Sequence, residues 1–594
     1  MRHWISLIVM LGMALNVHAD DAKYQDINYT IDPDTRTAEV TSNPQTSGEV
    51  YIPEEIVVGL DKYRVVRIGE NAFKGCKTLT AIVLPHSIER IYRSAFEGTG
   101  IMLNKKNWTD GVLYIDSCLI ATDKSIKPKF VIPEGTRLVA AGAFKGNKTV
   151  TRVDFPASVW RIDHDTFRDC KNLVRVIIPQ TVTEIGEDAF TNSGIWNNDK
   201  KWRKGALYID GCLIAVNDQA PAKFVFHPKV PTRLIADRAF GGNKNIRTVA
   251  IPDGISRIPA AAFYRCENLE EVIIPQSVKR VGNFAFYGCW LLKKATLPDK
   301  LESIGMGTFY GCEHLTSQVL SDSLTIIPKG CFGLCRSIKK ISLPSGIVSI
   351  ADGAFIGCAS LGGITLPETL EKIGETAFAG CAEMETVTIP ERVSSLSKGT
   401  FSGCTRLRKA VLPEGTYAIG DEAFKGCVAL ERINIPISTF RIGKHAFANC
   451  QQLQRIDMVD NIHVIEEGAF QGCKMLETIA LPVSLKVLSK STFTQCISLK
   501  QVQFNERLER IEDEAFLGCR LLWDIALPNK LESIGNNAFA ECRNLRRITF
   551  PSGLKQIGMY AFRDCESLSV PATIATIPAT TVVGKNAFQG CKEK

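Results

Sequence analysis

The chain has 594 residues, 45% of them hydrophobic and 23% charged, with a net charge of +8. That apolar content excludes a disordered chain, and so mild a charge gives no reason to expect nucleic acid. A length like this implies either several globular domains or a repeat array in which each unit buries its core against its neighbours.

Residues 1–19 have the pattern of a secretory signal peptide. Arg2 supplies the positive start, Trp4 to Leu15 is mostly apolar, and Val17-His18-Ala19 places small residues where a signal peptidase reads. Cleavage after Ala19 is expected. The apolar run, about 12 residues, is shorter than the ~20 a bilayer span needs. No later stretch is long enough, so no transmembrane segment is expected in the mature chain. The expected location is secreted or at the cell surface, on the outer surface of a bacterium.

Residues 20–60 read as an N-terminal β cap. Ile27-Asn28-Tyr29-Thr30-Ile31 and Thr37-Ala38-Glu39-Val40-Thr41 form paired strands around Asp32-Pro33-Asp34. A solenoid needs such a piece to cover its first core face. Residues 61–265 read as irregular repeats with two β-hairpin insertions, at about 100–130 and 195–225. Trp108-Thr109-Asp110-Gly111 through Ala121 matches Trp202-Arg203-Lys204-Gly205 through Ala215. Their aromatic residues either form a ligand platform or cover the sheet edge, and covering is the commoner use.

Residues 266–565 are a regular array. Cysteine recurs every 23 residues at Cys266, Cys289, Cys312, Cys335, Cys358, Cys381, Cys404, Cys427, Cys450, Cys473, Cys496, Cys519, Cys542 and Cys565. Phenylalanine keeps the same step three residues earlier. One instance runs Cys358, Leu361, Ile364, Leu366, Pro367, Leu370, Ile373, Gly374, Ala377, Phe378. Leu361, Ile364 and Leu366 suit a short parallel strand with inward side chains, and Pro367 ends it. Leu370 and Ile373 point in from the opposite wall. Gly374 is expected to supply a backbone turn closed to other residues. Phe378 fills the coil, so stacked coils build a phenylalanine spine. Counting these signatures gives 21 coils from Phe73 to Phe588. Thr308, Thr400 and Thr492 recur at a four-coil step of 92 residues, a sign of block duplication. Residues 566–594 decay into a degenerate terminal repeat, which is a cap or the start of something longer in a relative. The expected fold class is an α/β-type repeat solenoid, single, curved and right-handed: a leucine-rich-repeat array with short parallel strands.

The string L-x-x-I-x-I-P-x-x-L-x-x-I-G-x-x-A-F-x-G-C resembles the BspA-like family of surface leucine-rich-repeat proteins. Ser47-Gly48-Glu49-Val50-Tyr51-Ile52-Pro53, followed by Lys62 to Gly69, is similar to the opening of the family's Bacteroidetes members. The resemblance covers nearly all of the mature chain. It implies a binding scaffold, and attachment to host matrix proteins, host cells or other bacteria.

Twenty cysteines in an exported chain invite a disulfide framework. Their period argues for an internal ladder of free thiols packed as small hydrophobes, although coils ~5 Å apart leave pairing geometrically open. A ladder spreads its ligands along a line, so no metal site is expected. Cys331 occupies the alanine slot of its coil and reads as core. The eight histidines are scattered without zinc spacing, and no nucleophile elbow or phosphate loop is present. No enzyme and no cofactor are expected.

The positions between the inward residues of each strand should face outward. From the coil after Cys289 these are Lys293, Lys294, Lys339, Lys340, Arg408, Lys409, Arg432, Arg455, Lys500, Arg546 and Arg547, with Trp523 as an aromatic anchor. The acids at the same places are Glu385, Glu431, Asp457, Glu477 and Asp524, so eleven bases face five acids. Such a face either attracts sulfated glycans and acidic protein patches or merely keeps the sheet soluble. The expected function is adhesion through this face to extracellular protein ligands. Surface glycan capture and a passive spacer are the alternatives.

Overall fold

The computed structural model describes residues 20–33, 35–227 and 231–593. The expected signal peptide, 1–19, lies outside the described residues. Two compact units build the chain: Met1–Ala220 with His227–Ala239, and Pro221–Phe226 with Phe240–Lys594.

In the first unit, Ile27–Asp32 pairs antiparallel with Thr37–Val40, bringing Tyr29 opposite Val40. Alternation buries Ile27, Tyr29 and Ile31 on one side. Thr37–Val40 then pairs parallel with Asp61–Ile68, whose Arg67 and Ile68 pair parallel with Arg90–Ile91. The antiparallel sheet thus passes directly into the parallel ladder of the coils and covers its first layer. Phe73 and Phe96 stack behind it, with ring centres 5.9 Å apart.

Two antiparallel hairpins interrupt this unit, Val112–Ile115 with Cys118–Thr122 and Ala206–Ile209 with Cys212–Val216. Their tight turns carry Asp116 and Asp210 at positive φ. Each carboxylate accepts the backbone N–H of the coil below: Leu84 N at 3.0 Å and Ile178 N at 2.9 Å. Arg233 donates to the carbonyls of Ile178, Pro179 and Val182, and Arg137 to those of Pro85 and His86. Trp108 Nε1 and Trp202 Nε1 donate to the carbonyls of Met102 and Trp196. Each hairpin is therefore clamped to its coil by side-chain hydrogen bonds to backbone groups, and the tryptophans are half-buried parts of that clamp.

In the second unit every regular coil has two walls. The first carries a strand of up to three residues, such as Lys409–Val411, with its middle residue buried. It lies between Thr386–Thr388 and Arg432–Ile433, in register Thr386↔Lys409↔Arg432. The second wall holds two-residue strands, as in Ser395–Leu396, Ala418–Ile419 and Arg441–Ile442. Helix is almost absent among the described residues. Gly100–Leu103 and Val570–Ile574 are the α-helices among the described residues. Twenty-three residues spent on two extended walls and the turns between them leave no length for a helical turn on the return side.

Leu361, Phe378 and Cys381 are fully buried. Phenylalanine rings stack from Phe240 to Phe588, at 4.6 Å for Phe240–Phe263 and 5.6 Å for Phe401–Phe424. Such pairs add ~0.5–1.5 kcal/mol beyond their buried area. One expectation is corrected. Gly374 does not need an unusual backbone angle; a Cβ there would collide with the Asp352 backbone of the preceding coil. Close coil-to-coil approach selects glycine at that place, and the left-handed position of the turn is Gly380, at φ +74°.

The cysteines are free and buried. They are more than small hydrophobes, because each ladder thiol donates to the carbonyl of the phenylalanine 26 residues earlier. Examples are Cys266 to Phe240 at 3.0 Å, Cys404 to Phe378 at 3.2 Å and Cys565 to Phe539 at 3.2 Å. The ladder residue changes only where a hairpin breaks the stack. Thr99 and Ser193 stand where the chain leaves the array, and their hydroxyls accept Met102 N and Trp196 N of the departing segment. Asn147 stands where the chain re-enters, and it donates to Asp123 O of the hairpin strand's end.

Candidate functional site

Each first-wall strand has one inward residue between two outward ones, so sequence alternation alone fixes what the sheet face presents. All twelve residues expected on that face are exposed in the second unit. Lys294, Lys340, Lys409, Arg432 and Arg547 lie at the start of strands, and Lys293, Lys339, Arg408, Lys500, Trp523 and Arg546 directly precede them. Arg455 lies in a coil whose first wall forms no strand. Trp523 is 52% exposed.

The face is not uniformly cationic. Lys293 reaches Glu270 at 2.9 Å and Lys294 reaches Glu271 at 3.7 Å. Lys500 pairs with Glu477 at 3.1 Å, Arg547 with Asp524 at 2.6 Å and Arg455 with Asp457 at 2.8 Å. The hydrogen bonds from Lys293 and Arg247 hold the Glu270 carboxyl below the usual carboxylate range, and Arg547 does the same for Asp524. Lys339, Lys340, Arg408, Lys409, Arg432 and Arg546 make no ion pair among the described residues. Between Lys339 and Arg432 five of these cations face only Glu385 and Glu431, so the excess of positive charge gathers in the middle coils. Glu270 and Glu271 stand one coil before the run counted from the sequence. Extending the same column back by 23 residues brings them into view.

Between Lys339-Lys340 and Glu385 the face is interrupted. The outward positions of that coil are Gly362 and Gly363, and residues 361–366 form no strand. Ile364, inward in its coil, is half-exposed there, whereas its counterparts Ile341 and Val387 are buried.

Two other groupings lie off the strand face. On the second wall of the first unit, Asp163 is 2% exposed. Arg90 Nε meets it at 2.9 Å and Arg161 Nε at 3.3 Å, and Arg161 also pairs with Glu184. Asp163 occupies the slot held by glycine in the regular coil, and a departure from the consensus is the signal that marks it. In the second unit Tyr417, Phe440 and His463 stack on the second wall at 5.4 and 4.6 Å. Among the described residues no three His, Cys, Asp or Glu side chains are grouped to hold a metal ion, and no helix is long and apolar enough to cross a membrane.

A 23-residue period, parallel strands on both walls, a phenylalanine spine and a ladder of hydrogen-bonded thiols define a leucine-rich-repeat solenoid. The chain belongs to the family described as the BspA type leucine rich repeat region, which matches it in six copies over residues 60–146, 137–199, 233–347, 325–454, 417–523 and 441–569. No curated protein matches. Among solved structures, a leucine-rich repeat protein from Bacteroides ovatus is 20% identical, over 95% of this chain and 99% of that one, with a TM-score of 0.35. A leucine rich cell surface protein from Faecalibacterium prausnitzii is 18% identical, over 82% and 94%, with a TM-score of 0.33. A leucine-rich repeat protein from Eubacterium ventriosum is 20% identical, over 62% and 94%, also at 0.33.

Proposed function

We propose that this chain is an exported binding protein that attaches a bacterial surface to host matrix protein, host cells or neighbouring bacteria through the strand face of its second unit. The observation that carries this reading is the set of exposed, unpaired cations Lys339, Lys340, Arg408, Lys409 and Arg432 on one sheet face. Charges kept only for solubility would gain from local partners, as Lys293 and Lys500 do. A face that leaves its cations unpaired keeps them available to a partner and steers that partner in from solution. Family membership supports a protein-binding role.

The test is binding of the mature chain to immobilised fibronectin, fibrinogen, heparin and host cells across a salt series. Saturable binding that weakens as salt rises is expected, with at least a tenfold loss in the variant Arg408→Glu, Lys409→Glu, Arg432→Glu. A chain that serves only as a spacer would lose no attachment phenotype under the same reversal. Absence of saturable binding to every surface would sink the reading.

A further inference from the structure

We infer that the interruption at Gly362 and Gly363, with the unpaired cations on either side of it, is the seat of a sulfated polysaccharide chain. The inference rests on the strand face being a binding surface and names its partner.

Glycine in a strand weakens it, and it persists where the backbone must bend or where something approaches closely. Neither glycine here has a reason inside the fold. Neither has a positive φ, a Cβ on Gly363 would meet nothing within 4 Å, and one on Gly362 would meet only the Glu383 carbonyl at 3.9 Å, an ordinary contact. Side chains would fit, and they would strengthen the coil. Instead the coil loses ladder: Gly362 N–H to Lys339 O and Glu385 N–H to Gly362 O are both 3.4 Å, against 2.9 Å for Arg408 N–H to Glu385 O. The result is a step in the face, one coil wide, with bare backbone and Ile364 for a floor.

Its surroundings select the occupant. Lys339 and Lys340 stand one coil to one side; on the other, Glu385 stands one coil away, Arg408 and Lys409 two, and Glu431 with Arg432 three, so five cations face two carboxylates. At ~4.8 Å per coil the cations span roughly 20 Å. Ser342, Thr365 and Thr388 form a column of exposed hydroxyls beside them, none of which makes a hydrogen bond among the described residues. A flat floor, free hydroxyls and spaced cations match sugar rings bearing sulfates. A peptide would be held by a strand edge or by apolar pockets, and this stretch of face offers neither.

The test uses the mature chain, size-defined heparin fragments, the same fragments desulfated, and poly-glutamate as an acidic polypeptide. Gly362→Thr with Gly363→Val should weaken heparin binding at least tenfold while leaving the melting temperature unchanged or raised, since both residues favour strands. Desulfated fragments and poly-glutamate should compete at least tenfold less well than heparin. Should the filled variant lose stability, Gly362→Ser with Gly363→Ser is the milder filling, and the same loss of binding is expected of it. Wild-type heparin affinity in stable filled variants, with binding still lost on reversing Arg408, Lys409 and Arg432, would overturn the seat and leave the binding face standing. Equal competition by poly-glutamate would overturn the glycan and point to an acidic protein. Binding of no probe, heparin included, while the chain saturably binds fibronectin or cells, would also overturn it; binding of nothing at all would remove the reading beneath it.

Discussion

A thiol is the right residue at the ladder position because it is two things at once. It fills a small apolar space and it offers a second donor to a carbonyl that already accepts the N–H three residues on in its own turn. Removing it removes both. Cys404→Ala should take the second donor from the Phe378 carbonyl, which keeps the Cys381 N–H, and lower stability by about 0.5–1.5 kcal/mol, read as a fall in the unfolding midpoint. Burial also pushes the Cys358, Cys404 and Cys496 thiols from 9.0 up to about 12. The unfolded chain therefore gives up these protons first. Their contribution to stability is complete below about pH 9 and is lost as pH rises toward 12, so urea midpoints should fall steeply across that window. Cys591 is the exception: a hydrogen bond from Cys565 lowers its pKa. Mild alkylation of the native protein should label Cys591 first, which peptide mapping would read. The period made every ladder position legible in the sequence. The donor role was not, because no residue pattern records which carbonyl of the preceding coil a buried thiol will face.

At the scale of the element, a coil is specified by what its neighbour allows. Gly374 reads from sequence as a turn residue, yet its constraint comes from the backbone of the previous coil. The hairpins show the same division. Two apolar runs around Asp-Ser or Asp-Gly were enough to mark a turn. That the turn carboxylate also caps an amide 32 residues earlier depends on how the hairpin lies on its coil. Asp210→Ala should cost about 1–3 kcal/mol, because the Ile178 N–H loses a charged acceptor. Asp210→Asn, which keeps an acceptor, should cost less. Thermal melts of the two variants side by side would check the order.

Across the whole molecule, the period, the walls and the outward column are legible in the sequence. What could not be read was which charges cancel. Lys293 and Lys294 looked as free as Lys339 and Lys340, and only the facing acids of the previous coil distinguish them. Electrostatic character on a repeat surface belongs to pairs of coils, whereas a sequence is read one coil at a time. Charge reversal at Lys293 and Lys294 should accordingly change ligand affinity less than reversal at Lys339 and Lys340, each double variant being compared in the same salt series.

The thiol ladder also bears on how such a chain reaches its final state. Each sulfur is shielded only once the next coil has docked, so a partly formed array presents a row of thiols ~5 Å apart. That spacing is within bridging reach, and in an oxidising compartment a pause in docking would be written into the chain as a covalent crosslink. Safe folding then becomes a matter of timing: coils must close in order, outward from an already covered end, faster than an oxidant can reach the sulfurs. The N-terminal sheet over the first coil provides such an end, and in a protein threaded out amino terminus first it is the part that arrives first.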